Sequence, residues 1–125
     1  KLNALYFGVE DRIHFEQENA TSTEFEDNSF DAMITFLGLH HFTQTEPLLE
    51  EMLRMSKPGG KIILCDLNES GLQRVQDVHA REHRQHRVSG WHAEMIREWF
   101  ENQGIPCTYR MLENVWIMTL NAAKH

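Results

Sequence analysis

Two adjacent histidines, His40 and His41, directly follow an uncharged segment, residues 32–39. Histidine changes its charge near neutral pH, so a neutral imidazole at this place could accept a proton from a substrate or position an acceptor group. The alternative is that the two rings only pack at the start of the next helix or add polarity to the surface. We take His40 and His41 as the candidate catalytic residues and leave the alternative open.

The segment 32–39 is nearly all apolar, which predicts a strand covered on both faces within a parallel sheet. Phe36, Leu37 and Gly38 stand at its carboxyl end. Open α/β sheets bind ligands at the carboxyl ends of their strands, and a glycine lets the backbone approach a ligand closely. These three residues are therefore candidates for lining a cofactor site, with core packing as the alternative for Phe36 and Leu37.

A histidine cluster further along the chain could bind a metal. His79 and His83 are four residues apart and His86 follows three later, so on a helix the three rings could share one face. Three arginines are interleaved with them, and positive charge opposes the binding of a cation. We expect a solvated basic face and no metal site. Contact with an acidic partner or an anionic substrate suits this face better.

The elements that must position these residues alternate between strands and helices, and two central strands are too apolar for an open surface. A strand, helix and strand in succession predict a right-handed crossover, and a two-residue link predicts a closing antiparallel hairpin. Ser70 is expected to cap a helix, and Thr43 and Glu46 have capping-box spacing. The predicted order is helix 1–7, strand 13–16, strand 32–39, helix from 43, strand 61–67, helix from 70, helix around 95–100, and strands 107–112 and 115–121.

Composition limits the function classes. The 125 residues, 41% hydrophobic and 25% charged, suit one globular domain. Twelve basic against nineteen acidic residues give a net charge of -7, which disfavours binding to nucleic acid or to an anionic membrane. The sequence contains no run long enough to span a membrane and starts without the layout of a signal peptide, so we expect a cytoplasmic protein with two reduced cysteines.

Four segments in order resemble the class I S-adenosylmethionine-dependent methyltransferase superfamily. The resemblance is nearest to the C-methyltransferases of quinone biosynthesis and related small-molecule enzymes. It covers nearly all of residues 1–125, which we expect to form a single partial domain. The segments are Phe-Glu-Asp-Asn-Ser-Phe-Asp at 25–31, Phe-Leu-Gly-Leu-His-His at 36–41, Leu-Arg-Met-Ser at 53–56 and Lys-Pro-Gly-Gly-Lys at 57–61.

The resemblance implies S-adenosylmethionine as the cofactor and a small molecule as the methyl acceptor. By this resemblance, Asn19 would hydrogen bond to the amino edge of the adenine, and Ala20 would leave room beside it. The alternative for this pair is turn chemistry after a strand. Asp31 is implied to be structural, holding the loop that precedes its strand.

The motifs that make the family's main contacts with the cofactor are missing from the sequence. Those cofactor contacts come from a glycine-rich turn after the first strand and from an acidic residue that ends the second strand. This sequence contains no Gly-x-Gly. The expected fold is therefore an incomplete Rossmann-like α/β sheet, with parallel strands, a C-terminal antiparallel hairpin and the first two strands absent. In the family those two strands lie between the third strand and the strand at 32–39, so we expect either a homodimer or a missing N-terminal half to cover the free edges.

Two functions remain open at this point. The first is an S-adenosylmethionine-dependent methyltransferase acting on a small molecule, of which this chain is the C-terminal portion and not active alone. The second is a non-catalytic, methyltransferase-like module that associates with itself or with a partner chain.

Overall fold

The computed structural model describes residues 8–81 and 91–123, which form four strands and three α-helices. Two short 3-10 helices, Glu10–Arg12 and Leu39–His41, accompany them. In chain order the main elements are β1 (Phe30–Phe36), α1 (Thr45–Met55), β2 (Ser56–Leu67), α2 (Glu69–Arg81), α3 (Ala93–Asn102), β3 (Cys107–Met111) and β4 (Val115–Asn121).

The four strands form one sheet in the order β1-β2-β4-β3. β1 and β2 are parallel, joined through α1, whereas β4 runs antiparallel to both β2 and β3. This arrangement confirms the predicted α/β class and the closing hairpin.

The core lies where α1 and α3 cover the sheet. Leu49 of α1 and Ile96 and Phe100 of α3 are fully buried against Leu64 of β2 and Met118 of β4. Leu48, Leu49 and Met52 recur at helical spacing, so one face of α1 is apolar along its length. The apolar pattern that predicted these helices therefore corresponds to their buried faces.

β2 begins earlier than the sequence predicted, at Ser56, and includes the Pro-Gly-Gly segment. The backbone N–H of Gly59 donates to the carbonyl of Ala122 at 2.6 Å, and the N–H of Ala122 donates to the carbonyl of Gly60 at 2.7 Å. Gly59 has φ of +79°, a value that favours glycine. The segment therefore turns the chain, as expected, while also pairing with the end of β4.

The start of α2 is capped by Asn68 and not by Ser70. The Asn68 Oδ1 accepts a hydrogen bond from the N–H of Gly71 at 2.9 Å, while its Nδ2 donates to the carbonyl of Leu112 at 2.9 Å. A Cβ on Gly71 would lie 2.1 Å from the carbonyl oxygen of Asn114, so only glycine fits this contact. Asn68 thus ties α2 to the turn of the β3–β4 hairpin.

The predicted capping box at α1 does not form. The residue before the helix is Gln44, and it makes no side-chain cap hydrogen bond. Glu46 instead accepts a hydrogen bond from Trp99 Nε1 at 3.3 Å, so its carboxylate is directed toward α3. A tertiary contact has replaced the local one.

The segment 13–16 is not a strand, contrary to the prediction. It follows the Glu10–Arg12 turn without pairing to any strand of the described sheet, and Ile13 and Phe15 are 40% and 49% exposed. Alternation of apolar and polar residues marks two faces of a strand, but a strand also needs a neighbour to accept its backbone hydrogen bonds. The predicted helix 1–7 lies outside the described residues.

β1 is an edge strand with one exposed face, so the prediction of burial on both faces is wrong for the described chain. Met33 packs against the core, whereas Ile34 and Phe36 are 68% and 69% exposed. Sequence composition indicates that a strand is suited to burial, but it does not show what covers the strand. Among the described strands, β1 pairs only with β2.

An ionic network holds the segment before β1 against α1. The Arg54 guanidinium bonds to Asp27 at 2.8 Å and to Glu51 at 2.5 Å, and Glu51 also accepts the N–H of Thr23. The hydrogen bond from Arg54 lowers the pKa of Glu51 to about 2. Asp31, predicted to be structural, lies 3.2 Å from Lys57 in an exposed ion pair.

Both cysteines are free thiols, and burial raises the pKa of Cys107 to about 11. Across 8–81 and 91–123, none of the helices has the length and apolar character needed to cross a membrane. His83 and His86 of the histidine cluster lie outside these ranges, and the placement of the His79 side chain is likewise not described.

Candidate active site

A buried histidine–aspartate pair stands where β1 and β2 end. Asp66 Oδ1 lies 2.6 Å from His40 Nδ1, and Asp66 Oδ2 accepts the backbone N–H of His40 at 2.7 Å. The side chains of His40 and Asp66 are only 9% and 3% exposed. Asp66 therefore fixes both the ring and the backbone of His40.

The fold brings the two residues together from positions 26 apart in the sequence. β1 ends at Phe36, and Leu37 turns the chain with φ of +57° while its N–H donates to the carbonyl of Cys65 at 2.9 Å. The Leu39–His41 turn then carries His40 over the end of β2, where Asp66 lies. Because β1 and β2 are parallel, their carboxyl ends meet at the same edge.

The proton arrangement of the pair follows from donor chemistry. An ionised carboxylate only accepts hydrogen bonds, so His40 Nδ1 must donate its N–H to Asp66. In the neutral ring, Nε2 then carries the lone pair. In this tautomer Nδ1 donates to the carboxylate and Nε2 can accept a proton, as a general base must.

His40 and Asp66 open onto a pocket of about 870 Å³ between the sheet, α2 and α3. Trp116 of β4 is paired with Asp66 across the sheet and lines the same pocket. Trp91, whose N–H donates to Thr45 Oγ1 at 3.1 Å, packs against the core and forms part of the wall. The other lining residues are Leu67, Asn68, Glu69, Leu72, Gln73, Gln76, His92, Ala93, Glu94, Met95, Glu98, Tyr109 and Met111.

His41 differs from His40 in position. Its side chain is exposed and does not line the pocket, and its ring packs on that of His40 with 4.0 Å between ring centroids. Of the two histidines predicted from the sequence, only His40 lies where a substrate in the pocket could reach it.

Asn19 and Ala20, predicted to contact adenine, form a turn. The Asn19 Oδ1 accepts from the N–H of Thr21 at 3.0 Å and from its hydroxyl at 2.7 Å, which is the alternative that the sequence left open. Ala20 is partly buried and lines a second, apolar groove of about 310 Å³ between β1 and α1. The Asn19 amide nitrogen is not used in these bonds.

The predicted cofactor residues are not gathered into one cavity. Phe36 is exposed, Leu37 and Gly38 make the turn after β1, and none of the three lines either cavity. A Cβ on Gly38 would meet nothing within 4 Å, so no close contact requires a glycine there. In the described part of the chain, Phe36, Leu37 and Gly38 therefore lie outside these two cavities.

Sequence reasoning missed Asp66 and the aromatic wall of the pocket. Asp66 is the one charged residue near the end of the predicted strand 61–67, at the same sheet edge as His40. The rule that used the carboxyl end of one strand to select Phe36–Gly38 could have selected Asp66 at the end of the next. The sequence does not mark Tyr109 and Trp116 as pocket residues, because apolar residues that alternate along a strand are equally typical of core packing.

Comparison with known proteins adds the family. A sequence family described as a methyltransferase domain matches residues 3–64, about half of the chain. A demethylmenaquinone methyltransferase of Clavibacter sepedonicus is 39% identical over 59 residues, covering 47% of this chain and 24% of the relative. The ubiquinone/menaquinone biosynthesis C-methyltransferase UbiE of Ectopseudomonas mendocina is 34% identical over 76 residues, covering 58% of this chain and 30% of the relative.

Solved structures extend the likeness to the whole chain. In the complex between the Haloferax volcanii Trm112 methyltransferase activator and a methyltransferase, the matching chain has a TM-score of 0.74 at 18% identity. The match covers 99% of this chain and 67% of that one. At this identity the comparison establishes the fold.

The chain belongs to the class I S-adenosylmethionine-dependent methyltransferase superfamily, whose cofactor is S-adenosylmethionine. It spans about a quarter to a third of the curated relatives it matches and about two thirds of the solved methyltransferase chain. The resemblance predicted from the sequence is thereby confirmed.

The Asp66–His40 bond generates a stability prediction. In Asp66→Asn the amide NH₂ replaces one carboxylate oxygen and opposes a buried N–H donor, so the free energy of unfolding should fall by about 1–3 kcal/mol. Urea denaturation near neutral pH measures this change. Asp31→Asn is the matched control, because Asp31 is 88% exposed and its variant should change stability by less than about 0.5 kcal/mol. Equal stability of the Asp66 variant and the wild type would contradict the assignment.

Proposed function

We propose that this chain provides the acceptor-binding part of an S-adenosylmethionine-dependent methyltransferase that acts on a small molecule. The observation that carries the proposal is the buried His40–Asp66 pair facing a pocket at the carboxyl edge of the sheet. A protonatable ring held by a carboxylate beside a cavity is an arrangement suited to proton transfer.

The pocket supports the small-molecule part of the proposal. Its volume of about 870 Å³ lies within the range of about 300–1,000 Å³ that small-molecule sites occupy. Eight of its seventeen lining residues are apolar or aromatic, and the other nine are polar or charged and could orient a ligand.

His40 has a defined task in this proposal. When bound, S-adenosylmethionine would supply the methyl group and leave as S-adenosylhomocysteine, and the acceptor atom would supply the electron pair for the new bond. His40 Nε2 takes the proton that the acceptor atom gives up, while Nδ1 keeps its bond to Asp66. Asp66 is a positioning residue, because it holds the tautomer and stabilises the imidazolium that forms. His41 covers the His40 ring and is assigned no proton.

The cofactor side of the site is only partly present in the described residues. We propose that Asn19 and Ala20 stand beside the adenine and that Phe36, Leu37 and Gly38 form the floor under the cofactor. The remaining contacts must come from residues other than those described, because the predicted contacts do not share a cavity. Methyl transfer is therefore proposed for the protein at its natural length.

The variant His40→Asn tests the proposal. Its Nδ2 can still donate to Asp66, but the variant lacks the atom equivalent to Nε2. We expect kcat for methyl transfer from labelled S-adenosylmethionine to a panel of small phenols, quinols and amines to fall about 10²–10⁴-fold. The affinity for S-adenosylhomocysteine, measured by calorimetry, should stay the same.

The exposed His14 provides the control, since His14→Gln should keep full activity. An unchanged kcat in His40→Asn would remove His40 from the chemistry. If the natural-length protein neither transfers methyl groups nor binds S-adenosylhomocysteine, the proposed function is wrong.

The exposed face of β1 favours a second candidate, a non-catalytic module that associates through this strand. Ile34 and Phe36 present apolar side chains to solvent, and β1 has no described neighbour on its outer edge. An apolar strand with an unpaired backbone is a template for another strand. We propose that two copies of the 125-residue chain pair through β1 to form a homodimer when no other segment covers it.

Light scattering coupled to size exclusion tests this association. The 125-residue chain should elute as a dimer, and Ile34→Glu should shift it to a monomer by placing a charge in the contact. Val78→Glu, at an apolar residue of α2 that is 45% exposed, is the control and should leave the dimer intact. A monomeric wild type at all concentrations would contradict the proposal. Binding of S-adenosylhomocysteine by the same chain with micromolar affinity would exclude the non-catalytic candidate.

A further inference from the structure

Among the described residues that line the pocket around His40, acidic side chains outnumber basic ones. Asp66, Glu69, Glu94 and Glu98 line it, and no lysine or arginine does so in the described part of the chain. Asp66 is hydrogen bonded to His40. The other three carboxylates, Glu69, Glu94 and Glu98, lie on the walls formed by α2 and α3. A cavity lined by one sign of charge concentrates ligands of the opposite sign.

Three aromatic side chains line the same pocket. Trp116 is buried, while Trp91 and Tyr109 are partly buried. Aromatic faces attract cations within about 6 Å of the ring centroid. One such contact already exists inside the protein, because the guanidinium carbon of Arg97 lies 5.9 Å from the centroid of the Tyr109 ring.

Stabilisation of the helices explains the presence of only two of the three remaining pocket carboxylates. Glu69 and Glu94 lie in the first turns of α2 and α3, where a negative charge stabilises the helix. Glu98 gains no such benefit. It stands one turn after Glu94, and two like charges at this spacing destabilise a helix by about 0.2–0.5 kcal/mol. A cation between Glu94 and Glu98 would relieve this repulsion.

The field of Glu94 reaches the aromatic wall. Burial raises the pKa of the Tyr109 hydroxyl, and the Glu94 carboxylate raises it further, although Arg97 acts in the opposite direction. A negative charge next to a partly buried ring combines the two features that recognise organic cations.

We propose that the acceptor is an organic ammonium compound, bound with its charge near Glu94 and Glu98 and its apolar body against Trp91, Tyr109 and Trp116. This inference rests on the proposed function, because it names the class of substrate for the same pocket. The pocket of about 870 Å³ can hold the ammonium group and still place another part of the molecule beside His40.

Three probes with one skeleton test the inference on the 125-residue chain without any cofactor. Phenethylamine is an ammonium ion at neutral pH, phenethyl alcohol is neutral, and hydrocinnamate is an anion of similar size. Titration followed by NMR should show the ammonium binding about tenfold more tightly than the alcohol, a difference of about 1.4 kcal/mol. Raising the salt from about 0.05 to about 0.5 M should weaken only the binding of the ammonium.

Charge-neutralising variants identify the carboxylates responsible. Glu94→Gln and Glu98→Gln should each weaken ammonium binding at least about threefold and leave alcohol binding unchanged. Glu50→Gln removes the same charge from an exposed position on α1 that does not line the pocket, and it should have no effect on either probe. Circular dichroism confirms that each variant is folded.

The outcomes separate this inference from the proposed function. Equal binding of all three probes, preference for hydrocinnamate, or no binding at all would overturn the ammonium assignment. Methyl transfer to a neutral phenol without ammonium binding would also overturn it and would leave the methyltransferase proposal standing. Ammonium selectivity in a protein that transfers no methyl group would leave the pocket assignment intact and contradict the proposed function.

Discussion

The bond between Asp66 and His40 joins the two strand ends on which the candidate active site depends. One buried carboxylate accepts the ring N–H and the backbone N–H of His40, and its Oδ1 also accepts the N–H of Leu67 at 2.7 Å. A buried carboxylate is stable only when such donors replace water. The turn after β1, the ring tautomer of His40 and the floor of the pocket are all fixed by the same side chain.

The walls of the pocket depend on a second set of contacts, centred on Asn68. Its amide caps α2 through Gly71 and bonds to the hairpin through Leu112, so α2 and the β3–β4 turn hold a fixed spacing. The sheet is less fully covered at β1. No strand in the described ranges pairs with the outer edge of β1, one face of β1 is exposed, and the groove beside Ala20 is separate from the pocket at His40. The pocket proposed to bind the acceptor and the groove beside Ala20, proposed to lie near the adenine, are therefore two separate cavities.

Much of the fold could be predicted from the sequence, because each successful prediction rested on a local pattern. The apolar run at 62–65, the helical spacing of Leu48 and Met52, and the two-residue link before Val115 each specify one element by short-range geometry. Predictions failed where a distant partner decides. The segment 13–16 has the alternation of a strand but does not join the described sheet, and Glu46 bonds to Trp99 instead of closing a capping box. The site was half predictable. His40 and Asp66 each follow from a place near the carboxyl end of a predicted strand, but only the structure shows that the two side chains are in contact.

The tautomer of His40 tests the central claim most directly. Nitrogen NMR of the 125-residue chain, at a pH where the imidazole is neutral, distinguishes a proton on Nδ1 from a proton on Nε2. With Asp66 Oδ1 at 2.6 Å from Nδ1, we expect the proton on Nδ1 and an unprotonated Nε2, and Asp66→Asn should abolish this preference. A His40 ring that carries its proton on Nε2 in the wild type would contradict the proposed proton acceptor and the role assigned to Asp66.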